Sequence, residues 1–164
     1  MASALKRAGA KLLRRRIRAR LLIEPPKPVT EGWLVRLRCQ NPGTPGTFAG
    51  AVVAIDGRPP LPVDGPLVLA WRGDTGSRPL PLPTRHGELL RVAVFQTGTR
   101  PTWTLLGAAD VGGPEVRHVC PGQGEITLDV VIRRGDEIEI RRRVVLSSRA
   151  NDRGDFVPIV TFGS

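Results

Sequence analysis

The chain has 164 residues, of which 25 are basic and 15 acidic, and its formal net charge is +10. Hydrophobic residues make up 40% of it, a share that supports one domain with its own core and excludes an intrinsically disordered chain. Two cysteines are too few for a disulfide framework, and no apolar stretch approaches the roughly eighteen residues of a membrane span.

The positive charge is concentrated near the N-terminus. Residues 1–20 contain eight basic side chains and no acidic one, whereas residues 21–164 contain 17 basic and 15 acidic side chains. We therefore divide the chain into a basic N-terminal segment, 1–20, and a nearly neutral body, 21–164. A polycation of this kind predicts a polyanionic neighbour such as an acidic protein, an anionic lipid surface or nucleic acid.

Residues 4–20 are predicted to form a helix, because Ala, Leu, Lys and Arg dominate them. At about 100° per residue, most of the leucines fall on one side and a basic stripe falls on the other. Eight like charges repel one another, so we expect the helix to be frayed until it meets a partner. The stripe is the predicted site that binds anions or an acidic partner, and it consists of Arg7, Lys11, Arg14, Arg15 and Arg18.

Three prolines follow this segment and predict its end. Pro25, Pro26 and Pro28 cannot continue a helix and favour an extended connection. They are interpreted as a hinge between the basic segment and the body, and residues 1–20 are accordingly expected to be dispensable for folding.

From residue 33 onward the hydrophobic period changes from helical to two, which is typical of half-buried strands. In the first of these strands, the side chains predicted to point inward are Trp33, Val35, Leu37 and Cys39. Asn41-Pro42-Gly43 predicts a turn. Residues 48–55 are apolar on both faces, which is typical of a central strand.

Further strands are predicted at 67–71, with Trp71 in the core, and at 88–95, 103–106 and 156–162, with a long loop over 73–83. The clearest local pattern is a hairpin of 125–132 and 137–146 around a turn at 133–136. Its inward side chains are predicted to be Ile126, Leu128, Val130 and Ile132 on one strand and Ile138, Ile140, Val144 and Leu146 on the other. Glu137 and Glu139 are predicted to point outward and to pair with Arg141 and Arg143.

Seven to nine short strands without βαβ alternation predict an all-β fold, an antiparallel β-sandwich. The body resembles an immunoglobulin-like or fibronectin-type sandwich of bacterial proteins. The likeness covers roughly 20–146 and rests on the segments 33–39 and 41–43, then 69–71 and 87–94. It implies an adhesion or scaffold module by analogy. A jelly roll is the alternative, since the Tyr of a tyrosine corner is absent.

Residues typical of catalysis or metal binding are sparse. The two histidines, His86 and His118, have no set of ligands at metal-binding spacing, and Cys120 is the nearest candidate. No nucleophile elbow, phosphate-binding loop or dinucleotide motif occurs. The sequence therefore predicts no enzyme activity, no cofactor, no metal and no small-molecule substrate.

Cys39 and Cys120 have two interpretations. One is a disulfide between the sheets, and the favoured one is a pair of buried thiols in a reducing compartment. The chain shows no secretory signal pattern, so a cytoplasmic location is expected, including the inner face of the membrane.

Arg-Gly-Asp occurs three times, at 72–74, 134–136 and 153–155. We interpret these tripeptides as turns rather than adhesion motifs, because Gly-Asp is common in tight turns.

A second basic cluster consists of Arg133, Arg134, Arg141, Arg142 and Arg143. If this cluster lies on the same face as the N-terminal segment, the two would form one phosphate-binding surface. Otherwise its charges protect an exposed edge strand from pairing with another chain.

The favoured functional hypothesis is a non-enzymatic binding or scaffold module. It would dock through its Arg-rich N-terminal helix on an acidic partner, either a protein or an anionic membrane surface. The alternative is a capsid-like or packaging protein whose basic arm binds nucleic acid. The oligomeric state is left open.

Overall fold

The computed structural model describes residues 17–60, 65–72, 79–97, 100–108, 115–120 and 124–164. Within these ranges the chain is all-β and contains no helix. Its strands, in chain order, are β1 (Arg20–Ile23), β2 (Lys27–Val29), β3 (Gly32–Asn41), β4 (Gly46–Ile55), β5 (Leu67–Val68), β6 (Ala70–Trp71), β7 (Leu80–Leu82), β8 (His86–Gln96), β9 (Thr102–Gly107), β10 (Val116–Val119), β11 (Ile126–Arg134), β12 (Glu137–Ala150) and β13 (Phe156–Phe162).

The strands form two antiparallel sheets. The first sheet has the order β1-β3-β8-β9-β10, with β2 beside β3 and β6 beside β8. The second has the order β13-β12-β11-β4-β5, with β7 beside β4. Hairpins connect β8 to β9 and β11 to β12, which confirms the all-β prediction and the predicted hairpin near the C-terminus.

A single apolar core draws side chains from both sheets. Val35, Leu37 and Cys39 are fully buried, which confirms the inward phase predicted for β3, while Trp33 at the start of the strand is only half-buried. Trp71 is 2% exposed and also belongs to the core. From the second sheet, the fully buried side chains include Phe48, Val52, Leu128, Val130, Ile132, Val144 and Leu146.

The β11–β12 hairpin contains a β-bulge that the alternating pattern did not predict. Ile132 pairs with Ile140, but the next residue, Arg133, pairs with Ile138, so Glu139 is the extra residue. Beyond the bulge the predicted phase is therefore wrong. Ile138 is 45% exposed, and Glu139, which was predicted to point outward, is only 4% exposed.

The predicted strand over 67–71 is two short strands in different sheets. Leu67–Val68 pairs with β4 in the second sheet, and Ala70–Trp71 pairs with β8 in the first. Leu69 lies between them and donates its backbone N–H to Gly50 O over 2.8 Å. The chain therefore crosses from one sheet to the other at this residue.

The N-terminal boundary differs from the prediction in two respects. Residues 17–19 have no regular structure and Arg20 begins β1, so the described end of the predicted helix is not helical. Residues 1–16 lie outside the described residues. The prolines are not a hinge between two parts, because Pro25 and Pro26 connect β1 to β2 and Pro28 lies within β2. β2 has only β3 as a partner among the described strands, and an edge position of this kind tolerates Pro.

Candidate functional site

Four of the five predicted site residues, Arg7, Lys11, Arg14 and Arg15, lie outside the described residues. The fifth, Arg18, is exposed and lies immediately before the buried Ala19. The structure therefore shows where the basic N-terminal segment joins the body.

Ala19 fixes this junction between the two sheets. Its backbone N–H donates to Glu139 Oε1 on β12 over 2.9 Å, while the next residue, Arg20, pairs with Gln40 on β3. One chain segment thus connects the outer strand of the first sheet to the second sheet. The segment also lies close to the turn between β3 and β4, because a Cβ on Gly43 would lie 2.8 Å from Ile17 O.

The segment meets β12 where that strand has a free side. β13 pairs with residues 144–150 of β12, and no described strand lies beside residues 137–143 on that side. Three consecutive arginines, Arg141, Arg142 and Arg143, are exposed there. We call the exposed side chains of Arg18, Arg20, Arg141, Arg142 and Arg143 the basic edge.

Aromatic and polar contacts hold two of these arginines. The Arg142 guanidinium carbon lies 4.0 Å from the centroid of the Phe162 ring, a cation–π distance that orients the group. Arg143 Nε lies 3.4 Å from Asp129 Oδ1, and its Nη1 donates to Ser164 O over 3.5 Å. A cleft of about 380 Å³ is lined by Asp129, the three arginines, Gly163 and Ser164. Its arrangement of guanidinium groups suits carboxylate or phosphate oxygens.

The other arginines of the second basic cluster contact the body. Arg134 Nη2 donates to Thr44 O, Thr44 Oγ1 and Pro45 O over 2.7, 2.6 and 3.1 Å, and its guanidinium carbon lies 5.5 Å from the Phe48 ring centroid. Arg133 Nη1 donates to Asp136 O over 3.4 Å. The structure thus separates Arg134, which stabilises the β3–β4 loop, from the basic edge.

Glu139, like its neighbour Ile138, lies on the opposite side of β12 from the one that the alternating pattern predicted. A carboxylate in an alternating strand ordinarily lies on the solvent face, and the sequence carries no signal for the bulge that turns it inward. The bulge belongs to the pairing of β12 with β11, whose register shifts between Ile132 and Arg133.

Both cysteines are free and buried. Burial and then the nearby Glu139 carboxylate raise the pKa of Cys39 to about 12, and burial and then Asp56 raise the pKa of Cys120. His118 lies on β10 two residues before Cys120. Within the described ranges, His, Cys, Asp and Glu side chains form no group of three that could hold a metal ion.

Two of the Arg-Gly-Asp tripeptides lie at chain reversals, as predicted. Gly135 and Asp136 connect β11 to β12, and the φ of +58° at Gly135 is typical of a type II′ turn. Arg153, Gly154 and Asp155 connect β12 to β13. The third tripeptide lies largely outside the described residues.

The part of the chain that the structure describes contains no helix that is long and apolar enough to cross a bilayer. Comparison of the sequence with protein-family models and curated proteins, and of the structure with solved structures, gave no match.

Proposed function

We propose that this protein is a non-enzymatic binding module that docks on an acidic partner, an acidic protein or an anionic membrane surface, through its basic N-terminal segment. The observation that carries the proposal is the position of Ala19. Its hydrogen bond to Glu139 supports placing a segment with eight basic side chains next to the exposed arginines of β12.

The charge distribution supports one continuous surface. Arg18 and Arg20 flank Ala19, and Arg141 follows Glu139 by two residues, about 7 Å along a strand. Guanidinium groups suit this role because each can bind a carboxylate or phosphate with two parallel hydrogen bonds. The rest of the body contributes little charge, so binding is expected to depend on this side of the molecule.

We propose in addition that the body is an immunoglobulin-like sandwich rather than a jelly roll. Two antiparallel sheets around one core support a sandwich, and the three consecutive strands in each sheet, β8–β9–β10 in the first and β11–β12–β13 in the second, speak against a jelly roll. A jelly roll is built from two Greek keys, which do not keep three consecutive strands together in one sheet in this way.

The test is the salt dependence of binding to three polyanions: polyglutamate, anionic vesicles and duplex DNA. If five basic residues contact phosphates, a fourfold rise in salt weakens binding about 500-fold. Replacement of five residues by Gln should remove most of the salt dependence and leave the β-sheet circular dichroism unchanged. These residues are Arg7, Lys11, Arg14, Arg15 and Arg18.

The basic edge is tested by R141Q/R142Q, which should lower both the affinity and the salt slope. The matched control is R149Q/R153Q, which removes the same charge near the far end of β12, where both side chains are also exposed. Equal losses from the two pairs would show that only net charge matters. Strong preference for DNA over polyglutamate and vesicles would instead favour the packaging alternative.

A further inference from the structure

A second cleft lies beyond the C-terminal end of β12, whereas the arginines of the basic edge on that strand lie in its first half. It has a volume of about 530 Å³. Its lining includes Trp33 of β3, Thr97 just after β8, Asn151 and Asp155 from the turn between β12 and β13, and Phe156 at the start of β13. Asn151 directly follows β12 and is eight residues from Arg143, which corresponds to about 26 Å of extended strand. The cleft is therefore separate from the surface of the proposed function.

Side-chain and backbone hydrogen bonds fix the turn that forms one wall. Asn151 Oδ1 accepts from the backbone N–H groups of Arg153 and Asp155, both over 3.0 Å, and Asn151 N donates to Asp155 O over 2.7 Å. Gly154 permits the turn with a φ of +80°. None of these bonds uses the Asp155 carboxylate. Within the described ranges this carboxylate forms no ion pair, not even with the nearby Arg153.

The opposite wall and the rim are aromatic. Trp33 is half-buried at the start of β3, and Phe156 is 40% exposed. Trp71 and Trp103 are each only 2% exposed, so Trp33 is the tryptophan that a ligand can reach. Since Asp155 is the ionisable residue among the described lining side chains, the cleft combines aromatic faces with one negative charge.

We propose that this cleft binds an organic cation, an alkylammonium or guanidinium group. A cation is attracted both to the negative face of an aromatic ring and to a carboxylate, whereas an anion or a neutral apolar group gains at most one of these contacts. The volume lies in the range of small-ligand sites. The cation is either a free small molecule or a basic side chain of a peptide, and the proposal does not depend on the polyanion binding described above.

The test uses the indole N–H signals of the three tryptophans in a two-dimensional NMR spectrum, with the Trp33 signal assigned from W33F. Choline is the small-molecule probe, and N-acetyl-arginine methylamide represents a peptide side chain. The neutral control is 3,3-dimethyl-1-butanol, which has the shape of choline without its charge. We expect at least one cation to shift the Trp33 signal, the neutral analogue to have no effect, and the signals of Trp71 and Trp103 to stay in place.

D155N tests the carboxylate and should weaken binding about fivefold or more, which corresponds to ~1 kcal/mol at about 1.4 kcal/mol per factor of ten. D152N is the matched control, since Asp152 is exposed in the same turn but does not line the cleft. Equal shifts from choline and its neutral analogue, unchanged binding by D155N, or no shift from either cation would each overturn the proposal. The relative affinities of the two cations identify the source of the ligand.

Discussion

At the scale of single residues, the burial of Cys39 makes the stability of the fold depend on pH. Its pKa of about 12 means that the folded protein keeps the thiol proton to a higher pH than the unfolded chain does. The stability that this provides is complete below about pH 9 and is lost as the pH rises toward 12. We expect urea unfolding at pH 8 and pH 10.5 to show a smaller loss of stability in C39A than in wild type. Equal losses of stability in both proteins would contradict a raised pKa for Cys39.

Leu37 tests the core between the sheets. It is fully buried in β3, and Leu37→Ala should lower the free energy of unfolding by about 2–5 kcal/mol. Leu34→Ala is the control in the same strand, because Leu34 is only partly buried, and its cost should be clearly smaller. Denaturant unfolding of both variants measures the difference. A cost below about 1 kcal/mol for Leu37→Ala would contradict the core position.

At the scale of elements, the inward faces of regularly alternating strands were predictable and irregularities of pairing were not. The alternation in β3 and β11 gave the correct inward faces, and Gly135-Asp136 marked the hairpin turn. The inward position of Glu139 depends on the bulge in the pairing of β12 with β11, which the sequence of a single strand does not encode. Arg20 was predicted to lie in a helix because of the composition around it, but it pairs with Gln40 of β3, and strand pairing overrides the helical propensity of the segment.

Of the candidate site, only the concentration of basic residues was predictable from the sequence. The sequence showed the concentration of arginines in residues 1–20 and again in 141–143. It could not show that Ala19, at the end of the first group, contacts Glu139, two residues before the second, because Ala19 and Glu139 are 120 residues apart. It also could not separate Arg134 from the other arginines, since that depends on contacts with Thr44 and Pro45.

Adjacent arginines on β11 provide a matched test at this scale. Arg134 makes three hydrogen bonds to the β3–β4 loop, whereas Arg133 makes one long hydrogen bond to Asp136 O. We expect Arg134→Ala to cost about 1–3 kcal/mol of stability and Arg133→Ala less than about 0.5 kcal/mol. Thermal and denaturant unfolding of the two variants measure these costs. Equal costs would mean that the contacts of Arg134 do not stabilise the loop.

At the scale of the whole molecule, the basic segment and the body meet earlier than residue 20. Ala19 and Leu21 are each only 7% exposed, so the body includes residues that sequence analysis placed in or beside the segment. Deletion of residues 2–16 should leave the midpoint of thermal unfolding within a few degrees of wild type. Deletion of residues 2–21 should lower it further, because it also removes the bond to Glu139 and part of β1. Equal midpoints for the two deletions would contradict this boundary.

The pairing of β3 with β8 has a consequence for the order of events during synthesis. Trp33 pairs with Phe95, so β3 leaves the ribosome roughly sixty residues before its central partner exists. At about 5–20 residues per second, the interval is about 3–12 s. During that time the apolar face of β3 has only the short strands β1 and β2 beside it in its own sheet. β11, β12 and β13 follow one another directly, so their mutual pairing needs no such delay. β4 waits longer still, because Phe48 pairs with Arg134 of β11. The nascent chain therefore carries apolar strands without their central partners until β8 and then β11 are made, and a chaperone that acts on it would bind the region of β3 and β4.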